Sequence, residues 1–312
     1  WIKNNSIKKI TKNCIKKNGE VGVFGDSFVE YYRDTSNNLA NILSKKLNNV
    51  KACNFGLSGT GLDTYLSRYK YALKKTTIKK AIFYFYEGND FFEVPKLEEL
   101  KYAPYYDREN SLLYSTLKQS VSLNFIWREA IKPLWTNEIK FKDYDFNYCP
   151  KQSDEKIQIK LNNLREQQPD IYKKFQNYQL NVSWLQVALN CPAYFDIISK
   201  DHTYQIYNLK RIKTYVRKLS EISTLNNVEI LIIIIPHDYF VDNLNKKDWE
   251  NIFQFDNSPY LGPTQLSLRL IEEFSFIHYA NNLSGEDFLK FDGHLSPSGN
   301  HKLVKFTKEY FN

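Results

Sequence analysis

The feature that most constrains the fold is a nearly continuous apolar run over residues 228–235, which ends at Pro236. Its one charged residue, Glu229, is followed by six consecutive isoleucine or leucine residues. A strand of this composition presents apolar side chains on both faces, as the central strands of parallel sheets do when helices cover both sides. The run therefore predicts a parallel sheet between two layers of helices.

Shorter patterns repeat the alternation of strand and helix along the chain. Apolar runs predict strands at 21–24, 50–55, 78–86 and 275–279. Apolar residues at three- and four-residue steps predict helices near 37–47, 64–73, 206–225, 264–274 and 297–311. This alternation predicts an α/β fold, a three-layer α/β/α doubly wound parallel sheet. Ligands of such folds bind at the carboxyl ends of the strands.

The segment 94–204 interrupts this alternation and is predicted to be an inserted cap or side wall, mostly helical or irregular. Aromatic residues are dense within it, and helices are predicted at 156–168 and 175–189. The aromatic rings could stack on sugar faces or form a small core of the insertion, and both interpretations stay open. The predicted organisation is a basic segment at 1–18, a core at 19–93 and 205–312, and the insertion at 94–204.

Charge, histidine and cysteine patterns narrow the classes of function. The 312-residue chain has a formal net charge of +8, mostly from lysines scattered among asparagines. Nucleic-acid-binding surfaces gather basic residues with aromatics on one face, and because no such stripe is present we predict no nucleic-acid partner. The histidines are too isolated for a metal cluster, so no metal or cofactor is predicted. Cys53 is interpreted as a small core residue, while a disulfide between other cysteines stays open.

The location of the protein is left open by its sequence. No run approaches the roughly 20 apolar residues of a membrane-spanning helix, and no secretory signal is visible. The lysine-rich stretch 8–17 is interpreted as an exposed amphipathic segment. An alternative is that an anchor or signal has been removed upstream and that this stretch lies near a membrane. The bacterial cytoplasm and the cell envelope are both consistent with these features.

Two short motifs near opposite ends of the chain contain the groups of a catalytic triad. Gly25-Asp26-Ser27 follows the first predicted strand, and Asp292-Gly293-His294 precedes the last predicted helix. A serine hydroxyl is a poor nucleophile until a nearby base, typically a histidine held by a carboxylate, takes its proton. The alternative is a turn and an unrelated surface histidine.

Two further motifs supply groups that stabilise negative charge. Residues 54–61 form a glycine-rich stretch that contains Gly59, and Gly88-Asn89-Asp90 follows the strand predicted to end at Tyr86. Acyl transfer places negative charge on a carbonyl oxygen, which hydrogen-bond donors must reach. A glycine N–H can approach a ligand without hindrance, and an asparagine side chain is a second neutral donor. The glycine-rich stretch lacks the lysine of a phosphate-binding loop.

With these four motifs in this order, the chain resembles the SGNH (GDSL-type) hydrolases, over residues 20–93 and 205–310. The resemblance implies the flavodoxin-like SGNH hydrolase fold. It implies that Ser27 is the nucleophile and that its backbone N–H is one oxyanion donor. The resemblance further implies that Gly59 and Asn89 are the other oxyanion donors. It implies that His294 is the general base and that the Asp292 carboxylate orients it.

The last motif departs from the family, which usually has two residues between the aspartate and the histidine. Here Gly293 alone separates Asp292 from His294, and a change of one residue could rotate the imidazole away from the serine. The chain contains no methionine, and one hypothesis is that a methionine has been lost between Gly293 and His294. An alternative is a non-catalytic glycan-binding or scaffold protein with a degenerate triad.

The function implied by the resemblance is that of a serine esterase acting through an acyl-enzyme. The expected substrate is a small-molecule or glycan ester, with acetyl on a carbohydrate as the first candidate. A glycan O-acetyltransferase with the same triad, and a lipase or thioesterase, are alternatives. Three residues are secondary candidates for substrate contact: Asp26, which could instead cap a helix, Asp90, which could hold a turn, and His237, which could be an exposed loop residue.

Overall fold

Five parallel strands form the sheet, in the order β2-β1-β3-β4-β5. They are β1 (Val21–Phe24), β2 (Ala52–Asn54), β3 (Lys80–Tyr86), β4 (Glu229–Ile235) and β5 (Ile277–Tyr279). The central strands β3 and β4 pair over their full length, from Lys80 opposite Glu229 to Tyr86 opposite Ile235. This order is that of the flavodoxin-like doubly wound fold, so the predicted fold class is confirmed.

The computed structural model describes residues 20–30, 37–47, 50–58, 60–88, 90–91, 154–177, 202–241, 264–289 and 293–310. The helices within these ranges are α1 (Ser27–Glu30), α2 (Leu39–Lys46), α3 (Leu62–Lys75), α4 (Asp154–Gln167), α5 (Pro169–Gln176), α6 (His202–Leu225), α7 (Asp238–Val241), α8 (Gln265–Glu273) and α9 (Pro297–Glu309), with a 3₁₀ turn at Gly285–Asp287. Among these residues, no helix is long and apolar enough to cross a membrane.

Successive residues of a strand point to opposite faces of the sheet, and both faces are buried here. Phe83 and Ile232 belong to one apolar cluster, which also includes side chains of α3, α6 and α8. Ile82 and Ile233 belong to a second cluster, together with side chains of α1, α2 and α9. The near-continuous apolar run in β4 follows from this arrangement, because both of its faces contact helices.

Polar residues define where several helices begin. The Asn38 side chain accepts a hydrogen bond from the Asn41 N–H at 2.8 Å, and Ser296 accepts one from the Gly299 N–H at 3.1 Å. Each satisfies a backbone donor that has no partner within its helix. Pro297 then occupies the first turn of α9, where the missing N–H of proline costs nothing.

One predicted helix is wrong in its start, while its predicted end lies outside the described residues. The helix predicted at 175–189 does not begin at Phe175, since this residue lies near the end of α5, which runs from Pro169 to Gln176. Pro169 starts the helix, whereas the charged helix predicted at 156–168 is observed as α4. The predicted basic segment and most of the predicted insertion stay predictions, because the structure does not describe residues 1–19, 92–153 and 178–201.

Cys53 differs from the expectation of a simple core residue. Its side chain is fully buried in β2, as predicted, but it is also disulfide-bonded. The other three cysteines lie outside the described residues, so its partner is not identified. The sequence left a disulfide open only for those other cysteines, and spacing alone gave no sign that the buried one would be oxidised.

Candidate active site

Ser27 lies at the carboxyl end of β1, at the first residue of the one-turn helix α1. The preceding Asp26 is buried, and its Oδ1 accepts a hydrogen bond from the Phe28 N–H at 2.9 Å. The Asp26 carbonyl accepts a second bond from the Glu30 N–H at 2.9 Å. Asp26 therefore caps α1, the alternative considered for it, and fixes the turn that carries Ser27. Ser27 itself is half-buried.

His294 lies in a loop that returns to the same end of the sheet. Its carbonyl accepts a hydrogen bond from the Leu289 N–H at 2.6 Å, and the Gly293 N–H donates to the Leu289 carbonyl at 3.0 Å. Gly293 has a φ of 72°, a conformation that glycine adopts without steric cost. The His294 ring packs against Phe28, with 4.9 Å between ring centroids. The fold thus places His294 beside the residue that follows Ser27.

The loop that contains Gly59 is joined to the turn of Ser27, although Gly59 itself lies outside the described residues. The Leu57 N–H donates to the Gly25 carbonyl at 3.0 Å, and the Ser58 N–H donates to Glu30 Oε2. A Cβ atom at Gly56 would lie 2.5 Å from the Glu30 nitrogen. Only glycine allows this approach, so the loops after β1 and β2 form one contacting unit, here called the glycine seam.

The turn around Asn89 is fixed by its neighbours, while Asn89 itself is not among the described residues. The Tyr86 N–H donates to Asp90 Oδ2 at 2.8 Å, and the Asp90 N–H donates to the Tyr86 carbonyl at 3.1 Å. The Tyr65 hydroxyl lies 2.8 and 2.9 Å from the two carboxylate oxygens of Asp90. Asp90 therefore holds this turn, as its alternative interpretation predicted.

Burial and like charge perturb the acidic residues beside this turn. Desolvation, and then the nearby Asp26 carboxylate, raise the pKa of Asp90 well above its usual value. Desolvation and the Asp90 charge likewise raise the pKa of Tyr65, and desolvation raises the pKa of Asp63 in the first turn of α3. Tyr65 and Asp63 were not recognised in the sequence, since neither belongs to a motif.

His237 is buried, so the interpretation of an exposed loop histidine is wrong. It is 1% exposed, and its Nδ1 lies 2.9 Å from Asp238 Oδ1. Its ring stacks on Tyr86 at 5.7 Å between centroids, and Tyr86 packs on Phe28 at 4.2 Å. A continuous row of contacting rings therefore runs along the carboxyl end of the sheet, in the order His294, Phe28, Tyr86 and His237.

Glu87 is a buried carboxylate that no sequence motif pointed to. Its Oε1 accepts hydrogen bonds from the N–H and hydroxyl of Thr264, both at 2.9 Å, and from the Ser267 hydroxyl. Its Oε2 accepts from the Tyr279 hydroxyl at 3.2 Å and the His237 N–H at 3.4 Å. Burial raises the pKa of Glu87, and these donors oppose that shift. Glu87 joins the ends of β3, β4 and β5 to the start of α8.

Two other histidines lie on β5 and on α9. His301 is exposed on α9, as predicted, and the His278 ring stacks on Tyr310 at 3.7 Å. Within the ranges that the structure describes, no three histidine, cysteine, aspartate or glutamate residues are grouped so that they could hold a metal ion. Asp292 lies outside those ranges.

The described residues thus bring Ser27 and His294 to one end of the sheet and join the flanks of Gly59 and Asn89 to that end. Neither the protein-family models nor the curated proteins include a match to this chain. The chemistry of the site therefore has to be inferred from its own residues. A serine and a histidine at the same strand ends, where ligands of this fold bind, are residue types suited to nucleophilic attack on a carbonyl carbon.

Proposed function

We propose that the protein is a serine hydrolase of the SGNH type that cleaves an ester through an acyl-enzyme. The observation that carries the proposal is the contact between the rings of His294 and Phe28, 4.9 Å between centroids. This contact supports the proposal because Phe28 directly follows Ser27 in the first turn, while His294 comes from the last loop. The order of the four sequence motifs supports the same assignment.

In the proposed reaction, His294 takes the hydroxyl proton of Ser27 as the serine oxygen bonds to the ester carbonyl carbon. The tetrahedral intermediate then expels the alcohol, which receives that proton from His294. A water molecule activated by His294 attacks the acyl-enzyme, releases the carboxylic acid and restores the serine. Asp292 is assigned to orient the imidazole and to stabilise its protonated form.

The negative oxygen of each tetrahedral intermediate needs hydrogen-bond donors in place before it forms. We assign this role to the N–H groups of Ser27 and Gly59 and to the Asn89 side chain. The support is that both neighbours of Gly59 belong to the loop joined to α1, and that Asp90 fixes the turn containing Asn89. Loss of one such donor should lower turnover about 100-fold or more.

The proposed substrate is a small acyl ester of a carbohydrate, with acetyl as the first candidate. The support for this substrate class is the family resemblance, and transfer of the acyl group to a second sugar would use the same acyl-enzyme. The two reactions differ in their products: hydrolysis gives free acetate, and transfer gives an acetylated acceptor. Incubation with an acetylated glycan and an unmodified acceptor, followed by mass spectrometry, separates them.

We further propose that the protein works in the cell envelope rather than the cytoplasm. The support is the disulfide at Cys53, because disulfides persist in oxidising compartments and are rare where thiols are kept reduced. Fractionation of cells that express the tagged protein tests this location. Recovery of the protein from the cytoplasmic fraction, with Cys53 reduced, would contradict it.

The catalytic proposal is tested by labelling with a fluorophosphonate probe, which reacts covalently with activated serines. Ser27→Ala should abolish labelling, and His294→Ala should slow it about 100- to 10,000-fold, the usual contribution of a general base. Ser58→Ala, in the adjoining loop, and His301→Ala, on α9, are matched controls that should label normally. Equal labelling of Ser27→Ala and the unmutated protein would refute the assignment of the nucleophile.

A further inference from the structure

The end of the sheet opposite the candidate active site carries a cluster of lysines. Because the strands are parallel and each connecting helix returns to the sheet's start, the ends of α2 and α3 lie near the first residues of the strands. The Glu20 N–H donates to the Lys51 carbonyl at 3.1 Å, and the Lys79 N–H donates to the Glu20 carbonyl at 2.8 Å. We call this surface the lysine edge, and its members are Lys45, Lys46, Lys51, Lys74, Lys75, Lys79 and Lys80.

The lysine edge has an excess of positive charge at the surface. All of its lysines except Lys80 are exposed. Two carboxylates lie among them: Glu20 is 3.0 Å from the Lys79 ammonium, and Glu229 is 2.9 Å from that of Lys80. Two carboxylates for seven lysines, counted over the described residues of this edge, leave a net positive field that reaches into the solvent.

The lysines of the lysine edge lie at the starts of β2 and β3 and at the ends of the helices that precede these two strands. Toward β5, the end of α8 carries Glu272 and Glu273, which form ion pairs with Arg269 and Arg217 respectively. The charge of this end of the molecule is therefore asymmetric. An anionic partner would be attracted to the lysine edge rather than to the whole end.

Exposed apolar side chains border the same end of the sheet. Leu225 is 84% exposed at the end of α6, and Tyr310 is 39% exposed after α9. They are two of the three large hydrophobic residues that are exposed in the described part of the chain; the third is Ile159 on α4. An isolated exposed leucine is ordinary, but here leucine, tyrosine and lysines project at one end.

Leu225 lies next to the lysine edge. The Tyr69 hydroxyl is 2.8 Å from the Ser223 hydroxyl, which joins the middle of α3 to the last turn of α6. On the other side of the α6–β4 turn, the Glu229 N–H donates to the Lys79 carbonyl at 2.9 Å. The leucine therefore projects from a turn bounded by α3, which ends at Lys75, and by Lys79.

We propose that the lysine edge, together with Leu225, binds the surface of an anionic lipid membrane. Lysines near such a surface are attracted to the acidic headgroups, and a single exposed leucine can enter the headgroup region without spanning the bilayer. A nucleic acid would favour arginines and several aromatic rings for phosphate contact and base stacking, whereas all the basic residues assigned to the lysine edge are lysines. The leucine favours a lipid surface over a soluble polyanion.

Membrane binding at this edge would leave the candidate active site accessible. The two ends of the sheet are separated by β3, whose seven residues span about 20 Å at 3.3 Å per residue. The strand ends that carry Ser27 would face away from the lipid. The proposal concerns only the lysine edge, so it stands or fails independently of the chemistry at Ser27.

Co-sedimentation with vesicles tests the proposal. The full chain should bind vesicles of phosphatidylcholine that contain about 30 mol% phosphatidylglycerol, an anionic lipid used here as the probe. Binding should be weak to pure phosphatidylcholine and should fall as salt is raised, because exposed charges are screened. Lys74→Gln/Lys75→Gln should weaken binding roughly 30-fold, from about fivefold for each lysine. Leu225→Ser should weaken it about tenfold, in low and high salt alike.

The matched control is Lys173→Gln/Lys210→Gln, which removes the same charge from exposed positions on α5 and α6 and should leave binding nearly unchanged. Urea unfolding midpoints establish that each variant is folded. Failure of the full chain to bind anionic vesicles would overturn the proposal. Equal weakening by the control pair, or binding of RNA or an anionic polysaccharide without binding of vesicles, would also overturn it.

Discussion

Replacing Glu87 by glutamine or alanine tests how the carboxyl end of the sheet is held together. The Glu87 carboxylate accepts five hydrogen bonds, three at Oε1 and two at Oε2. In Glu87→Gln, the amide oxygen can keep the bonds from Thr264 and Ser267. The amide NH₂ then faces Tyr279, whose hydroxyl can rotate to accept, and the His237 N–H, which cannot.

The expected cost follows from the donors that lose their acceptor. One buried backbone N–H without a partner costs about 1–3 kcal/mol, so Glu87→Gln should lower the free energy of unfolding by that amount. Glu87→Ala removes every acceptor, including those of two backbone N–H groups, and adds a cavity. It should cost at least about 3 kcal/mol, in the range reached by disruption of buried polar networks.

Urea denaturation, followed by circular dichroism and by tryptophan fluorescence, measures both changes. Glu286→Gln is the matched control, because Glu286 is exposed and such surface substitutions usually change stability by less than about 0.5 kcal/mol. If both Glu87 variants unfold at the same urea concentration as the control, the hydrogen-bond network does not contribute as reasoned. Equal costs for glutamine and alanine would refute the argument from individual donors.

Three further predictions concern other buried groups. Burial raises the folded-state pKa of Asp90, so the stability that this residue contributes is fully present below its unfolded pKa and is lost as pH rises through the folded value. In thermal unfolding from pH 4.5 to 8, the stability of Asp90→Asn relative to the unmutated protein should therefore increase as pH rises. A difference in stability that stays constant with pH would contradict this. The Tyr84 hydroxyl lies 2.9 Å from Thr307 Oγ1, which donates in turn to the Leu303 carbonyl. In urea titrations, Tyr84→Phe should lower the free energy of unfolding by about 1 kcal/mol, and Thr307→Val, which leaves the buried Tyr84 hydroxyl without this partner, by about 1–3 kcal/mol. A larger loss for Tyr84→Phe than for Thr307→Val would contradict this reasoning. Because Cys53 is disulfide-bonded, thiol titration of the denatured, unreduced protein should find at most two of the four cysteines free, and four free thiols would refute the bond.

The sequence predicted the sheet well because burial on both faces leaves a strong composition signal. The run that forms β4 and the helix patterns that became α2, α3, α8 and α9 gave elements within a few residues of their observed ends. Residues 178–189 of the helix predicted at 175–189 lie outside the described residues. Its predicted start was wrong, because Phe175 belongs to α5, which begins at Pro169. Local apolar spacing did not indicate which turn would begin that helix.

The candidate site was predictable only where its residues belong to motifs. Ser27 and His294 were found from the motifs that contain them, and the structure brings both to the same strand ends. Glu87 and Tyr65 gave no signal, because their importance comes from partners far away in sequence: Thr264 for Glu87, and Asp90 for Tyr65. Such long-range hydrogen bonds depend on the packing of the whole sheet and leave no local pattern.

The glycine seam has a consequence for how this protein can change through mutation. Backbone hydrogen bonds and the close approach at Gly56 make the loops after β1 and β2 a single mechanical part. A substitution that shifts one loop displaces the other, so tolerated changes in the two should be correlated rather than independent. In a combinatorial library, variants at positions 54–58 would be recovered mainly in pairs with compensating changes at 25–30. The turn that carries Ser27 would then evolve as one unit with the loop beside it, while changes in the helices outside the seam would be independent of both loops.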